Sequence, residues 1–184
     1  MTAVLCVDDH PALRAGVVSV LRRAAGITRC DAVDSADEAM NWAPSPDVVL
    51  VDYRLATGDG LRLCHAFKRR EPAPAVLMYS AHARDLALPA RLAGADGVLA
   101  KTTPAPQLVE AIQSVARGER VFGSLAEDVV RAGSYVTPED LPLLAMLADG
   151  ATPDEVAGVM RIEPAAVERR VHRIIDQLKP STVA

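Results

Sequence analysis

Up to residue 117 the chain alternates short apolar runs with amphipathic stretches. Residues 3–7 (AVLCV) form an apolar run that ends in Asp8-Asp9. From Pro11 to Arg23 the spacing is helical, with Leu13, Val17, Val18 and Leu21 on one side. A short strand is expected near Cys30–Val33, and Ser35-Ala-Asp-Glu38 has the form of a capping box opening the next helix. Residues 47–51 (DVVLV) form an almost unbroken apolar run, as in a strand buried on both faces. Gly60 to Arg70 reads as a helix, residues 75–80 as the fourth strand and residues 97–100 as the fifth. Between those strands, residues 84–93 predict a helix kinked or shortened at Pro89. Pro104 to Arg117 closes the series with a helix that has Pro near its first turn.

Five strands alternating with five helices imply an α/β fold, with a parallel sheet covered on both faces. In such folds ligands gather at the carboxyl ends of the strands. The pattern changes after residue 117. Residues 118–136 read as a linker, with a short helix expected at Leu125–Arg131. Thr137-Pro138 suits a helix N-cap and first position, and Gly150 suits that helix's end. Thr152-Pro153-Asp-Glu155 is a second capping box, for a helix to about Met160. Pro164 opens a last helix to about Leu178, where Pro180 stops it. An α/β unit at 1–117 and a small all-α unit at 137–184 are the expected domains.

Half of the 184 residues are hydrophobic and only 3% are aromatic, so the core must be aliphatic. No apolar run approaches the length of a membrane span, and the N-terminus lacks the basic and apolar regions of a signal peptide. Cys6, Cys30 and Cys64 fit no metal-ligand spacing and are expected as buried thiols of a cytoplasmic protein. The net charge of −4 is unevenly distributed. Residues 1–120 carry 14 basic and 14 acidic side chains, whereas 121–184 carry 6 and 10.

The strand ends carry the candidate chemistry. With parallel strands, Asp8, Asp9, Asp52, Ser80 and Lys101 converge on one edge of the sheet. Three crowded carboxylates repel one another and suit a hard divalent cation, which points to Mg²⁺. A carboxylate can accept a phosphoryl group as an acyl phosphate, while a cation and a lysine neutralise the charge on the transferred oxygens. No P-loop, nucleophile elbow or His/Cys metal spacing is present, so no further enzyme activity is expected.

Residues 1–117 resemble the receiver domain of two-component response regulators, through VDDHPALRAGV, VDYRLATGDGL, YSA and GADGVLAK. The resemblance implies a five-stranded flavodoxin-like fold and a sensor histidine kinase as partner. It makes Asp52 the phospho-acceptor. Asp8, Asp9, Asp52 and the backbone carbonyl of Arg54 would hold the metal. Ser80 would be the switch hydroxyl and Lys101 the phosphate-binding lysine. Arg54 and His82 would flank the path of the attacking water and slow self-hydrolysis. Two positions depart from the pattern: Val98 stands where many receivers carry a switching aromatic, and Ala56 where many carry proline.

Residues 137–178 more loosely resemble the LuxR/NarL type of helix-turn-helix output domain. On a helical wheel Val167, Val171, Ile174, Ile175 and Leu178 form the core stripe of the last helix. Arg169, His172 and Arg173 lie on the opposite face, where a recognition helix would meet phosphates or base edges. Glu168 stands at a usually basic position and Glu163 replaces the usual serine cap. Residues 137–184 hold 5 basic and 8 acidic side chains. Two functions follow: a DNA-binding transcription regulator that pairs as a homodimer when phosphorylated, or a phosphorylation-controlled protein-interaction module with weakened DNA binding.

Overall fold

The structure is a computed structural model, and it describes residues 1–56, 58–122, 136–148 and 150–178. The chain runs β1 (Thr2–Val7), α1 (Pro11–Leu21), β2 (Ile27–Val33), α2 (Ala36–Met40), β3 (Val48–Asp52), β4 (Arg54–Leu55) and β5 (Gly58–Asp59). It continues through α3 (Gly60–Lys68), β6 (Ala75–Ser80), α4 (Ala83–Leu92), β7 (Gly97–Ala100) and α5 (Ala105–Ala116). Three more helices follow: α6 (Leu141–Ala148), α7 (Pro153–Met160) and α8 (Pro164–Leu178).

The main sheet has the order β2-β1-β3-β6-β7, and all its pairings are parallel. Side chains of the central strands alternate between two cores, as the two-residue period of a strand requires. Val49 and Val51 of β3 pack with α3 and α4, whereas Val48 and Leu50 pack with α1 and α5. The short antiparallel hairpin β4–β5 stands apart from this sheet. No helix among the described residues is long and apolar enough to cross a membrane.

Local signals act as expected at several points. The side chain of Ser35 accepts a hydrogen bond from the Glu38 amide at the start of α2. The Thr152–Glu155 capping box of α7 is complete in both directions. The thiols of Cys6, Cys30 and Cys64 are free and buried. Burial pushes Cys6 up to about 12 and Cys30 up to about 11, so both stay protonated and inert.

Two expectations are corrected. Helix α4 is not shortened at Pro89 but continues to Leu92. Leu86, Leu88, Ala90 and Leu92 are all buried there, and their packing outweighs the roughly 3 kcal/mol that an interior proline costs. Helix α6 begins at Leu141 rather than at Pro138, because residues 138–140 form a turn closed by the Asp140 amide on the Thr137 carbonyl. Within the expected linker, residue 121 runs beside the sheet edge. Val121 bridges to Gly97, and the Val98 amide donates to the Val121 carbonyl at 2.9 Å. A Cβ on Gly97 would lie 2.6 Å from that carbonyl oxygen, so the edge contact needs glycine. The helix expected at Leu125–Arg131 lies outside the described residues, as do Lys179 and Pro180.

Helices α6–α8 pack on the receiver beside α4, whose core is continuous with Leu143, Leu144, Val167 and Val171. At the margin, Arg69, the C-cap of α3, bonds to Glu168 of α8. The rings of His65 and His172 meet edge-on, with centroids 5.0 Å apart.

Candidate functional site

Strand ends build the site. Asp8 follows β1, Asp52 is the last residue of β3, Ser80 is the last of β6, and Lys101 follows β7. Asp8, Asp52 and Ser80 are 2%, 3% and 2% exposed, so this is a nearly sealed polar floor at the edge of an apolar sheet. The Lys101 ammonium lies 2.6 Å from Asp52 Oδ2 and 2.8 Å from Asp8 Oδ2, linking the first, third and fifth strands of the main sheet. Its backbone is held as well: the Lys101 amide donates to the Ser80 carbonyl at 3.0 Å, and the Tyr79 hydroxyl donates to the Lys101 carbonyl at 3.1 Å.

The two charges of the central pair shift together. Burial pushes the Asp52 carboxyl above its ordinary 3.8, against the downward pull of the Lys101 hydrogen bond. Burial would lower Lys101, but hydrogen bonds to Asp52 and Asp8 outweigh it and hold the ammonium above its ordinary 10.5. The result is a basic carboxylate beside a firmly charged lysine, which suits attack on an electrophilic phosphorus.

The neighbouring segments are fitted to the acceptor. A Cβ on Gly60 would lie 2.1 Å from the Asp52 carbonyl oxygen, so only glycine lets α3 start there. Asp59 caps α3 by accepting from the Leu61 amide. Ser80 Oγ accepts from the His82 amide at 3.1 Å, which ties the candidate switch hydroxyl to the start of α4. Arg54 and His82 are both exposed beside the site. Val98 is half-buried against the α4-side core, a setting for an aliphatic residue with no hydroxyl to reach.

All five residues expected from the strand ends are thus near one another. Sequence reasoning missed a sixth. His10 Nδ1 lies 2.8 Å from Asp9 Oδ1, 3.3 Å from Asp8 Oδ1 and 3.9 Å from Asp52 Oδ2. One ligand atom from each of Asp8, Asp9, His10 and Asp52 falls within 4.8 Å of the others, which is a donor set for a cation.

Residues 4–113 match the response regulator receiver domain family. Over 97% of its length the chain is 30% identical to the DNA-binding transcriptional activator DevR/DosR of Mycobacterium tuberculosis, covering 88% of that protein. The chain belongs to the response regulator family. Among solved structures, this response regulator is similar to the receiver domain of the putative response regulator NarL from Mycobacterium tuberculosis. That likeness has 31% identity and a TM-score of 0.57, over 64% of this chain and 98% of that one. RcsB from Salmonella enterica serovar Typhimurium, bound to promoter P1flhDC with the phosphomimetic BeF3−, shares the fold. Its TM-score is 0.61 at 17% identity, over 99% of this chain and 94% of that one. The response regulator is of the LuxR/NarL type, with a flavodoxin-like receiver followed by a C-terminal helical region.

The face of α8 expected to meet DNA is divided in three. Arg169 is exposed. His172 turns its ring to His65 of the receiver. Arg173 bonds to Asp140 Oδ2 at 2.7 Å. Asp140 is 1% exposed and also accepts from the Thr137 hydroxyl at 2.8 Å, while Arg170 lies 3.5 Å from its other oxygen. Arg173 thereby ties α8 to the start of α6, and its tether to a buried carboxylate limits its reach toward a phosphate.

Proposed function

We propose that this response regulator takes a phosphoryl group on Asp52 from a sensor histidine kinase and thereby controls transcription. The observation that carries the reading is the Lys101 ammonium held within 2.8 Å of both Asp52 and Asp8 at the strand ends. A receiver over residues 1–117, a linker over 118–136 and an output domain over 137–184 form the working parts. The Asp52 carboxylate attacks phosphorus, the donor's bond to phosphorus breaks, and Lys101 neutralises charge on the transferred oxygens. Ser80 then hydrogen-bonds the phosphoryl group, giving up the His82 amide that holds it at the head of α4. Arg54 and His82 screen the acyl phosphate from water.

The donor set fits a metal: three carboxylates converge, with one ligand atom from each within 4.8 Å of the others. Asp8, Asp9, Asp52 and the Arg54 carbonyl would hold Mg²⁺. When bound, it offsets the negative charge gathered around the phosphoryl group.

Control passes through α8. In the closed arrangement Glu168 and His172 lie against α3, so α8 must leave the receiver before it enters a major groove. Arg169, His172 and Arg173 are the DNA-facing candidates, with Arg169 the most accessible. Few phosphate contacts imply that pairing two output domains as a homodimer supplies much of the affinity. The alternative, a protein-interaction module, is disfavoured by a relative named as a DNA-binding activator that matches along nearly the whole chain.

The test is labelling by a small phosphodonor with Mg²⁺. The parent takes up one phosphoryl group and Asp52→Asn none. Equal labelling of the mutant overturns the assignment. Absence of DNA binding by the labelled dimer at low salt shifts the reading to protein interaction.

A further inference from the structure

Lys101 neutralises the transferred charge in the reading above, yet it stands where a sheet holds its chain least. It follows β7, the last strand in the order of the sheet, which pairs with β6 on one side. On the outer side Val121 meets Gly97 and Val98, at the other end of β7. The end of an edge strand frays readily, and a lysine there has a long flexible stem to order.

Two consecutive residues of β6 hold it. The Ser80 carbonyl accepts from the Lys101 amide at 3.0 Å, and the Tyr79 hydroxyl donates to the Lys101 carbonyl at 3.1 Å. The first bond is backbone to backbone, open to any sequence, whereas the second depends on one side chain. Tyr79 is 4% exposed, and its ring packs in the apolar layer with Leu50, Leu108 and Ile112. A phenylalanine would fill that layer as well. A buried hydroxyl is costly unless it is bonded, and the acceptor Tyr79 finds is the carbonyl of Lys101 itself. Lys101 is thus held at its amide and its carbonyl, while its ammonium lies 2.6 Å from Asp52 Oδ2 and 2.8 Å from Asp8 Oδ2. A side chain anchored at both root and tip has little freedom left.

We propose that the Tyr79 hydroxyl is a positioning group for phosphoryl transfer, holding the Lys101 backbone so that the ammonium stays beside Asp52. The proposal rests on the reading of Asp52 as the acceptor and adds a residue that acts through Lys101 alone. Without the hydroxyl, the Lys101 carbonyl turns to water and the end of β7 loosens. The ammonium is then less often where charge develops on the transferred oxygens.

The experiment uses the full chain, with acetyl phosphate and Mg²⁺ as probes. Uptake is timed for the parent, Tyr79→Phe, Tyr79→Met, Lys101→Ala, Asp52→Asn and the double variant of Tyr79→Phe with Lys101→Ala. Both Tyr79 variants are expected to slow uptake about tenfold. In the Lys101→Ala background, itself slowed by about 10²–10³, adding Tyr79→Phe costs less than about twofold more, because the group it positions is gone. In chelator, the proton resonance of the Lys101 ammonium is sharpened in the parent by the bonds to Asp52 and Asp8, and it broadens in Tyr79→Phe. Parental uptake in both Tyr79 variants overturns the proposal. An equal tenfold loss in the Lys101→Ala background, or an unchanged ammonium resonance, also overturns it. Slowing in only one Tyr79 variant makes ring packing the cause and overturns it too. If Asp52→Asn labels as the parent does, the acceptor assignment falls and this inference with it.

Discussion

Lys101 and Arg173 each bond to a buried aspartate, and they illustrate two uses of one contact. Lys101 bonds to Asp52 and Asp8 at the strand ends of the sheet, where the proposed phosphoryl group would add to the cluster. Arg173 grips Asp140, which is also held by Thr137 at the foot of α6. The first pair lies at the proposed reaction site, whereas the second ties α8 to the start of α6. A charged pair on a helix face therefore says little about binding until its partner is known. The receiver keeps its charges at the site, while the output domain turns part of its sparse positive charge inward.

The sharpest way to break this comparison is to delete each cation. Lys101→Ala is expected to slow phosphoryl uptake by about 10²–10³, the usual cost of removing a donor to developing charge. Arg173→Ala is expected to leave uptake unchanged and to destabilise the output domain by about 1–2 kcal/mol, through a charge-assisted bond with one well-exposed partner. Labelling kinetics and denaturant unfolding read the two effects. If Arg173→Ala keeps its stability and loses DNA affinity, the two pairs are alike after all.

Glu168 tests the same contrast from the acidic side. Glu168→Lys removes the contact with Arg69 and adds a cation beside Arg169. DNA affinity at low salt is expected to rise about tenfold, with one more counterion released in a salt titration. An unchanged salt slope would place residue 168 away from the DNA backbone.

Smaller effects belong to the surroundings of Asp52. Replacing both Arg54 and His82 with alanine is expected to speed decay of the labelled form several-fold, by opening the water path. An unchanged lifetime would mean that these exposed side chains stand clear of it.

The pH dependence comes from the raised Asp52 carboxyl. The folded chain binds that proton more tightly than the unfolded chain, so the ionised carboxylate subtracts stability at neutral pH. Its favourable contribution exists below the unfolded value and is lost as pH rises through the higher folded value. In chelator at pH 7, Asp52→Asn is therefore expected to raise the unfolding midpoint. Direct titration of the Asp52 carboxyl in chelator is expected to show a midpoint above the ordinary 3.8. A lower midpoint would mean that Lys101 outweighs burial.

The receiver was legible in the chain because its code is local and periodic. Apolar runs mark four of the five sheet strands, the second being legible only near Cys30–Val33, and parallel order places Asp8, Asp52, Ser80 and Lys101 at the carboxyl ends of the others. The Thr152–Glu155 box and the apolar stripe of α8 likewise named their elements. What only the tertiary structure decided was partnership across long separations. Periodicity places Arg173 on an outer face, but Asp140, 33 residues away, determines what it holds. A wheel puts His172, and the resemblance puts Glu168, toward DNA, yet receiver residues about a hundred positions earlier meet them. His10 carries no signal in the sequence, and only the backbone brings its ring to the carboxylates. Hydrophobic spacing determines which face is buried, because burial is summed over many residues. The direction of one polar side chain depends on a single contact, which the sequence does not record.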